Sequence, residues 1–244
     1  MAKRGAKRHL KRLNQPDVFQ FSDKKAFTFL AKPSPGPHPK DGAVALYVFL
    51  RNVLGIARNA REAKKLIKRG AVVVDGKVRR DTHFPVGLAD VIAFPEIETA
   101  YVLLINKKGL TPFTIPYSSE VKKYEKVVKK YVRKGGELVC TTHDGHIFPI
   151  SNDVKVGDVL VVDLGAKRVE KVLPLKEGAK CLIIKGKHRG VIAQLKELVS
   201  IANRRKEAHL ETKDGEHIIT LADYLFVIDD ELEGVMNGQS HETD

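Results

Sequence analysis

Apolar residues follow three regimes along the chain. Residues 1–42 show no sustained period, residues 43–69 repeat every three to four places, and from about residue 71 short apolar runs alternate with turn residues. In the middle regime Val44, Leu46, Tyr47, Leu50, Val53 and Leu54 share one face, and Ala60, Ala63, Leu66 and Ile67 share another. That spacing predicts two packed helices, one over Ala43–Leu54 ended by Gly55 and one opening at Asn59. Asn59 with Glu62 three places on is a capping-box-like start: the Asn oxygen takes a free N–H of the first turn while the Glu reaches back. Gly70 stands where a left-handed C-terminal cap belongs. Ala71–Val74 then reads as a buried strand, Asp75-Gly76 as a tight hairpin turn, and Ala89–Phe94, after Pro85-Val86-Gly87, as the strand that closes a small domain. From about Thr99 the runs Tyr101–Ile105, Leu138–Thr141, Ile147–Ile150 and Val159–Leu164, bounded by Gly, Pro, Asn or Asp, predict a barrel or sandwich. Residues 121–133 satisfy either period, with Val121, Tyr124, Val127, Val128, Tyr131 and Val132 on a helical face and neighbours equally acceptable in a strand. Near the end, Asp214-Gly215 separates two short runs, Tyr224–Ile228 is an apolar strand, and the chain then turns acidic.

The chain has 244 residues, 43% of them hydrophobic, enough for more than one small core. Its formal charge is +13, and the distribution is more informative than the sum. Residues 1–80 hold 20 basic and 5 acidic side chains, a net of +15, and the remainder holds 23 and 25, a net of −2. Cationic function is therefore concentrated in the N-terminal third, which suits a polyanion whose counterions each Lys or Arg releases. An anionic membrane is the weaker partner, because no apolar run approaches the roughly 20 residues of a spanning helix. Cys140 and Cys181 lack close Cys partners, so neither a structural zinc site nor a disulfide framework is expected. The opening M-A-K-R-G-A-K-R-H lacks the apolar core of a secretory signal, and the expected location is cytoplasmic.

Four stretches carry candidate chemistry. Residues 2–12 contain Lys3, Arg4, Lys7, Arg8, Lys11 and Arg12 with His9 and no acid, and such an arm repels itself until a polyanion orders it. Residues 32–39, K-P-S-P-G-P-H-P, favour an extended strap. The second helix sets Arg61, Lys64, Lys65 and Lys68 opposite its apolar face, and the hairpin delivers Lys77, Arg79 and Arg80 beside it. A basic stripe is often only a solvated face, but the absence of alternating acids and the second cluster favour phosphate binding. Lys187, His188 and Arg189 form a basic loop tip between Gly186 and Gly190, with Lys185 just before it, and the spacing is not that of a P-loop. Thr142-His143-Asp144-Gly145-His146 invites a metal or acid/base reading, but Asp-Gly between two strands is a hairpin turn and no third ligand is suggested nearby in sequence.

The helix and hairpin resemble the αL motif of the S-four RNA-binding domain, and Gly186-Lys187-His188-Arg189-Gly190 between apolar strands is similar to a KOW element. In order, Gly5-Ala6-Lys7-Arg8-His9-Leu10-Lys11-Arg12-Leu13, the Pro33–His38 strap, Phe49-Leu50-Arg51-Asn52, Val74–Arg79, His143-Asp144-Gly145 and the basic loop resemble the small-ribosomal-subunit protein four family of archaeal and eukaryotic type, over nearly the whole chain. Its modest length and acidic ending are closer to archaeal members.

The resemblance implies an α+β multidomain protein: a basic extension and strap (1–42), an αL domain (43–98), a central β-barrel-like domain (99–172), a C-terminal KOW, SH3-like β-barrel (173–228) and an acidic tail (229–244). It favours strand for residues 121–133. It implies a non-catalytic constituent of the small ribosomal subunit that binds 16S-type ribosomal RNA beside neighbouring ribosomal proteins, with no cofactor, metal or small-molecule substrate. The RNA contacts it implies are Lys3, Arg4, Lys7, Arg8, His9, Lys11, Arg12, Lys32, His38, Arg51, Arg58, Asn59, Arg61, Lys64, Lys65, Lys68, Arg69, Lys77, Arg79, Arg80, Lys185, Lys187, His188 and Arg189. The acidic tail is expected to stay solvated or to touch a basic protein. The alternatives are a ribosome-associated RNA chaperone and an RNA-modifying enzyme that carries the same αL domain.

Overall fold

The computed structural model describes residues 9–19, 27–117, 122–166, 168–200 and 206–238. The end of the basic arm, from His9, is folded against the rest of the chain. β1 (Leu10–Lys11) pairs antiparallel with β2 (Phe29–Leu30), a 3-10 turn covers Arg12–Asn14, and Leu10, Phe19 and Leu30 enter the main core. Arg12 is buried with its guanidinium 5.4 Å from the centre of the Phe27 ring. Burial of three apolar side chains, at about 25 cal/mol per Å², anchors what charge alone would leave free. Lys3, Arg4, Lys7 and Arg8 lie outside the described residues.

The strap, residues 32–39, is irregular and crosses the segment 83–90. Ser34 N–H donates to the His83 carbonyl at 2.8 Å, a Cβ on Gly36 would meet Pro85 at 2.5 Å, and a Cβ on Gly87 would meet the His38 ring at 2.6 Å. β3 (Val44–Ala45) then pairs with a strand downstream, so the first helix starts later than its period suggests: α1 (Leu46–Val48) passes into a π-helical turn over Phe49–Val53. Gly55, at φ +68°, ends it. α2 (Ala60–Arg69) packs on α1 through Ala63 and Ile67 and stops at Gly70, φ +90°.

β4 (Val73–Val74) and β5 (Lys77–Val78) form the hairpin, and β6 (Pro85–Val86) is the partner of β3. β7 (Val91–Phe94), β8 (Thr99–Asn106) and β9 (Gly109–Ile115) extend the hairpin into a five-stranded sheet in the order β5-β4-β7-β8-β9. The run expected over Tyr101–Ile105 thus joins the helical unit's sheet. The second sheet, in the order β12-β11-β10-β13-β14, comprises β10 (Lys122–Val132), β11 (Leu138–Thr142), β12 (Ile147–Pro149), β13 (Val159–Asp163) and β14 (Arg168–Leu173). The third, in the order β18-β17-β16-β15-β19, comprises β15 (Lys180–Ile183), β16 (Ile192–Val199), β17 (Glu207–Thr212), β18 (His217–Leu221) and β19 (Leu225–Val227). Each order is linear, with an edge strand at either end.

β10 shows why its period is ambiguous. Lys123 to Val127 are buried in succession. Strand side chains alternate faces, so five buried in a row means that both faces are covered. Lys123 reaches Asp75 and Asp90 of the first unit, while Lys126 donates to the carbonyls of Asp223 and Leu225 in the third at 2.8 and 2.7 Å. One apolar cluster consequently runs from Leu10 to Met236 through the first and third sheets, and a smaller one of Val127, Cys140, Val154, Leu160 and Val162 fills the second.

The acidic ending is not a solvated tail over residues 230–238. α3 (Asp230–Gly238) docks Leu232 and Met236 into the main core. Asp229 caps it, accepting the Leu232 N–H at 2.9 Å, and also accepts the Tyr124 hydroxyl at 2.9 Å. Lys180 bridges Asp230 and Glu233 at 2.6 and 2.7 Å, so Asp229, Asp230 and Glu233, which suggested repulsion, are partnered within the chain.

The loop after β15 closes on the β8–β9 turn. Gly190, at φ +81°, lies so near that a Cβ would sit 2.4 Å from the backbone of Asn106 and Lys107. Gly190→Ala adds a disfavoured left-handed conformation to a clash with main-chain atoms that have no rotamer to yield. It is expected to destabilise by about 1–3 kcal/mol in a urea titration, whereas Gly215→Ala, with the same sign of φ and open space around it, costs less.

Candidate nucleic-acid interface

α2 is positioned by its cap. Asn59 accepts the Glu62 N–H at 2.9 Å, and the Glu62 carboxylate accepts the Arg58 N–H at 2.9 Å, one residue before the expected partner. With Ala63 and Ile67 buried, Arg61, Lys65, Lys68 and Arg69 are exposed and line a shallow concavity with Lys64. Lys64 Nζ sits 4.8 Å above the Tyr47 ring, which fixes its stem without removing its charge. Asp75 and Gly76, at φ +51° and +70°, make the hairpin turn. The hairpin returns beside α2: Val78 and the Arg80 guanidinium lie within 3.8 Å of where a Gly70 Cβ would stand. Lys77 and Arg80 are exposed, and Arg79 lies 4.3 Å from the centre of the Phe84 ring. Arg80 therefore extends the helix stripe, while Lys77, nearer the turn, lines a cavity with Asp75 and Glu125. Among the described residues Arg61, Lys65, Lys68, Lys77 and Arg80 make no ion pair, and Arg69 pairs with Glu96 at 3.1 Å.

Other candidates are scattered. His9 and Lys11 are exposed and Lys32 partly so, and Arg51 donates to Asn52 at 2.8 Å. In the loop after β15, Lys185 and Lys187 are exposed and His188 is partly covered, but Arg189 turns inward to the carbonyls of Asp17 and Lys107 at 2.9 and 3.3 Å. His38, expected to touch RNA, is buried against Gly87 with Nε2 2.8 Å from both Asp90 oxygens. The basic strap passes over a buried carboxylate, and that carboxylate takes the histidine.

Beneath the hairpin lies a charged cluster with no sequence signal. The Lys123 ammonium is fully buried and touches Asp75, Asp90 and Asp144 at 2.7, 2.8 and 2.9 Å. Burial alone would lower its pKa, but three carboxylates outweigh that and raise it, so Lys123 stays charged. Burial and the neighbouring Asp90 charge push Asp75 up to about 7. Asp90 is pushed up by burial too, but Lys123 and His38 hold it well below the usual carboxylate range. The His143–Gly145 turn is a hairpin turn between β11 and β12, and its aspartate is part of this cluster.

Residues 97–169 match the family described as Ribosomal family S4e, residues 46–92 match the S4 domain and residues 4–41 match the RS4NT (NUC023) domain. Small ribosomal subunit protein eS4 of Methanocaldococcus jannaschii is 36% identical over 240 residues, covering 95% of this chain and 98% of that protein. This chain belongs to the eS4 family. The eS4 protein of Nanoarchaeum equitans is 38% identical over 194 residues, 79% of this chain and 83% of its own. The crystal structure of 30S ribosomal protein S4e from Thermoplasma acidophilum superposes with a TM-score of 0.65 at 27% identity, covering 78% of this chain and 96% of that one. The eS4 family is a structural ribosomal family, not an enzyme family, which removes the modifying-enzyme reading. Among the described residues of this eS4 chain no helix is long and apolar enough to cross a membrane.

His146 extends the cluster to the surface. Its hydrogen bonds to Asp144 and then Glu125 raise its pKa to about 10. A folded value above the ordinary one contributes stability that is complete below about pH 6.5 and fades as the pH rises towards 10. In metal-free buffer the melting temperature is expected to fall across that window, and His146→Asn is expected to flatten the fall.

Proposed function

We propose that the protein is a structural constituent of the small ribosomal subunit that holds 16S-type ribosomal RNA with α2 and the β4–β5 hairpin. The observation that carries this is the stripe of Arg61, Lys64, Lys65 and Lys68 on α2, extended at Gly70 by Arg80 after the hairpin, whose cations are almost unneutralised from within the chain; Lys77 adds an exposed cation nearer the hairpin turn. Surface lysines that release counterions from phosphates supply affinity without base readout. The deep major groove of A-form RNA admits no side-chain reading, so this surface recognises backbone shape. Arg58 and Asn59 stand at the start of the same helix and Arg69 at its end. Lys185 and Lys187 make a second contact from a KOW-type loop, while Arg189 fastens that loop to the rest of the chain. The arm carrying Lys3, Arg4, Lys7 and Arg8 adds phosphate contacts whose released counterions supply further affinity. A domain series of αL, central β and KOW-type units accounts for the three sheets, with other small-subunit proteins as neighbours in the cytoplasm.

The deciding experiment is quantitative sedimentation of cell extract through a high-salt sucrose gradient. Near-stoichiometric retention on the small subunit is expected. Free or substoichiometric protein would overturn the reading in favour of a transient RNA chaperone.

A further inference from the structure

At the β11–β12 turn the His146 imidazole faces two carboxylates. Its Nδ1 lies 2.8 Å from Oε1 of Glu125 and 3.2 Å from Oδ2 of Asp144. Both acids are inaccessible to solvent, whereas the imidazole is 43% exposed. The three ligand atoms lie within 4.8 Å of one another. Independently of that grouping, the second oxygen of Glu125 is buried and has no hydrogen-bond partner. Buried acceptors are nearly always satisfied, so this one is a position prepared for a cation or a donor from outside the chain. Glu125, Asp144 and His146 all line a cavity of about 640 Å³, which gives a small ligand access.

Charge points the same way. Of four carboxylates with little or no exposure, Asp75, Asp90 and Asp144 contact the Lys123 ammonium, while Glu125 contacts His146. His38 is committed to Asp90, and Lys126 is turned away to carbonyls of the third sheet. At Glu125 and Asp144, among the described residues, His146 and Lys123 are the cationic groups within ion-pair distance; Lys77 and Arg79 line the same cavity without an ion pair to either acid. A donor set of one imidazole nitrogen and two carboxylate oxygens suits the borderline first-row ions, whereas Mg²⁺ and Ca²⁺ prefer oxygen alone.

We propose that Glu125, Asp144 and His146 bind one divalent first-row cation of the Zn²⁺ type, with the fourth position facing the cavity and open to water. The ion displaces the proton of Nδ1, and the free Glu125 oxygen gains a partner. Ligand atoms around a tetrahedral Zn²⁺ stand about 3.4 Å apart, so Nδ1, 2.8 and 3.2 Å from the two carboxylate oxygens, backs away slightly to admit the ion. The bound ion ties β10 to the β11–β12 hairpin. Metal uptake here is independent of RNA, and its test contains none.

The test is isothermal titration of the full-length, metal-stripped protein with Zn²⁺, repeated in buffers of different ionisation enthalpy, with Co²⁺ followed by visible absorption. One saturable Zn²⁺ per chain is expected, with a proton released that makes the heat buffer-dependent. Glu125→Gln and His146→Asn are each expected to weaken binding more than about 10-fold, since loss of mere supporting groups already costs that much. His146→Asn changes a half-exposed side chain and keeps the fold, which far-UV circular dichroism checks. Absence of saturable uptake by the wild type, or uptake as tight in both variants, would overturn the site.

Discussion

Replacing Lys123 by Met is expected to destabilise the protein by about 3–5 kcal/mol, because it leaves Asp75, Asp90 and Asp144 facing one another without their shared cation. Met nearly matches the aliphatic stem, so the loss reports charge more than volume. For a chain of this length it corresponds to a fall of roughly 10 °C in melting temperature. Asp75→Asn combined with Lys123→Met is expected to recover part of the loss, since the two residues touch and their effects are not additive. Thermal and urea unfolding of the two variants measure both quantities. A Lys123→Met protein within about 1 kcal/mol of wild type would mean that the three carboxylates are neutral in the fold and that the cluster does not hold the strap, hairpin and second sheet together.

The second large effect is on RNA. Changing Lys64, Lys65 and Lys68 together to Ala is expected to weaken binding to small-subunit ribosomal RNA. The dependence of log K on log salt should flatten by about 0.9 for each phosphate no longer neutralised, or roughly 2 to 3 for the triple variant. Ala is a good helix former, so α2 persists, and Lys65 and Lys68 are exposed. Lys64 covers Tyr47, and its removal carries a small packing cost that a melting curve separates from the weaker binding. An unchanged salt slope would refute the proposed clamp.

The sequence is legible where the physics is local. The Asn59 cap, the left-handed Gly70 and the Asp75-Gly76 turn each depend on residues within four places, and α2 with its basic stripe follows from them. α1 is less legible because Val44 and Ala45, which fit a helical period, are claimed by a strand 40 residues away. Period cannot decide β10, since Lys123, Glu125 and Lys126 are charged yet buried, and their partners come from distant segments. The buried cluster is invisible for the same reason: each of its aspartates reads locally as an ordinary turn residue. His38 looks like an RNA contact in a basic strap, and only Asp90, 52 residues on, turns it inward. α3 is hidden because Leu232, Val235 and Met236 are sparse among acids. Repulsion from RNA is the obvious inference; Lys180 and Tyr124 are what make docking possible.

The position of α3 sets a limit on when the molecule can be finished. Its apolar face enters a core that already includes Leu10, and its cap is bonded to Tyr124 in the central strand of the second sheet. During synthesis the first sheet can form early, but the Tyr124 hydroxyl awaits Asp229, 105 residues later. Until Asp229 to Met236 leave the translating ribosome, the nascent chain presents an uncovered apolar seam where Leu232 and Met236 will pack. α3 is thus a late-made piece of an early-made core, and the order of synthesis sets the order in which that core closes.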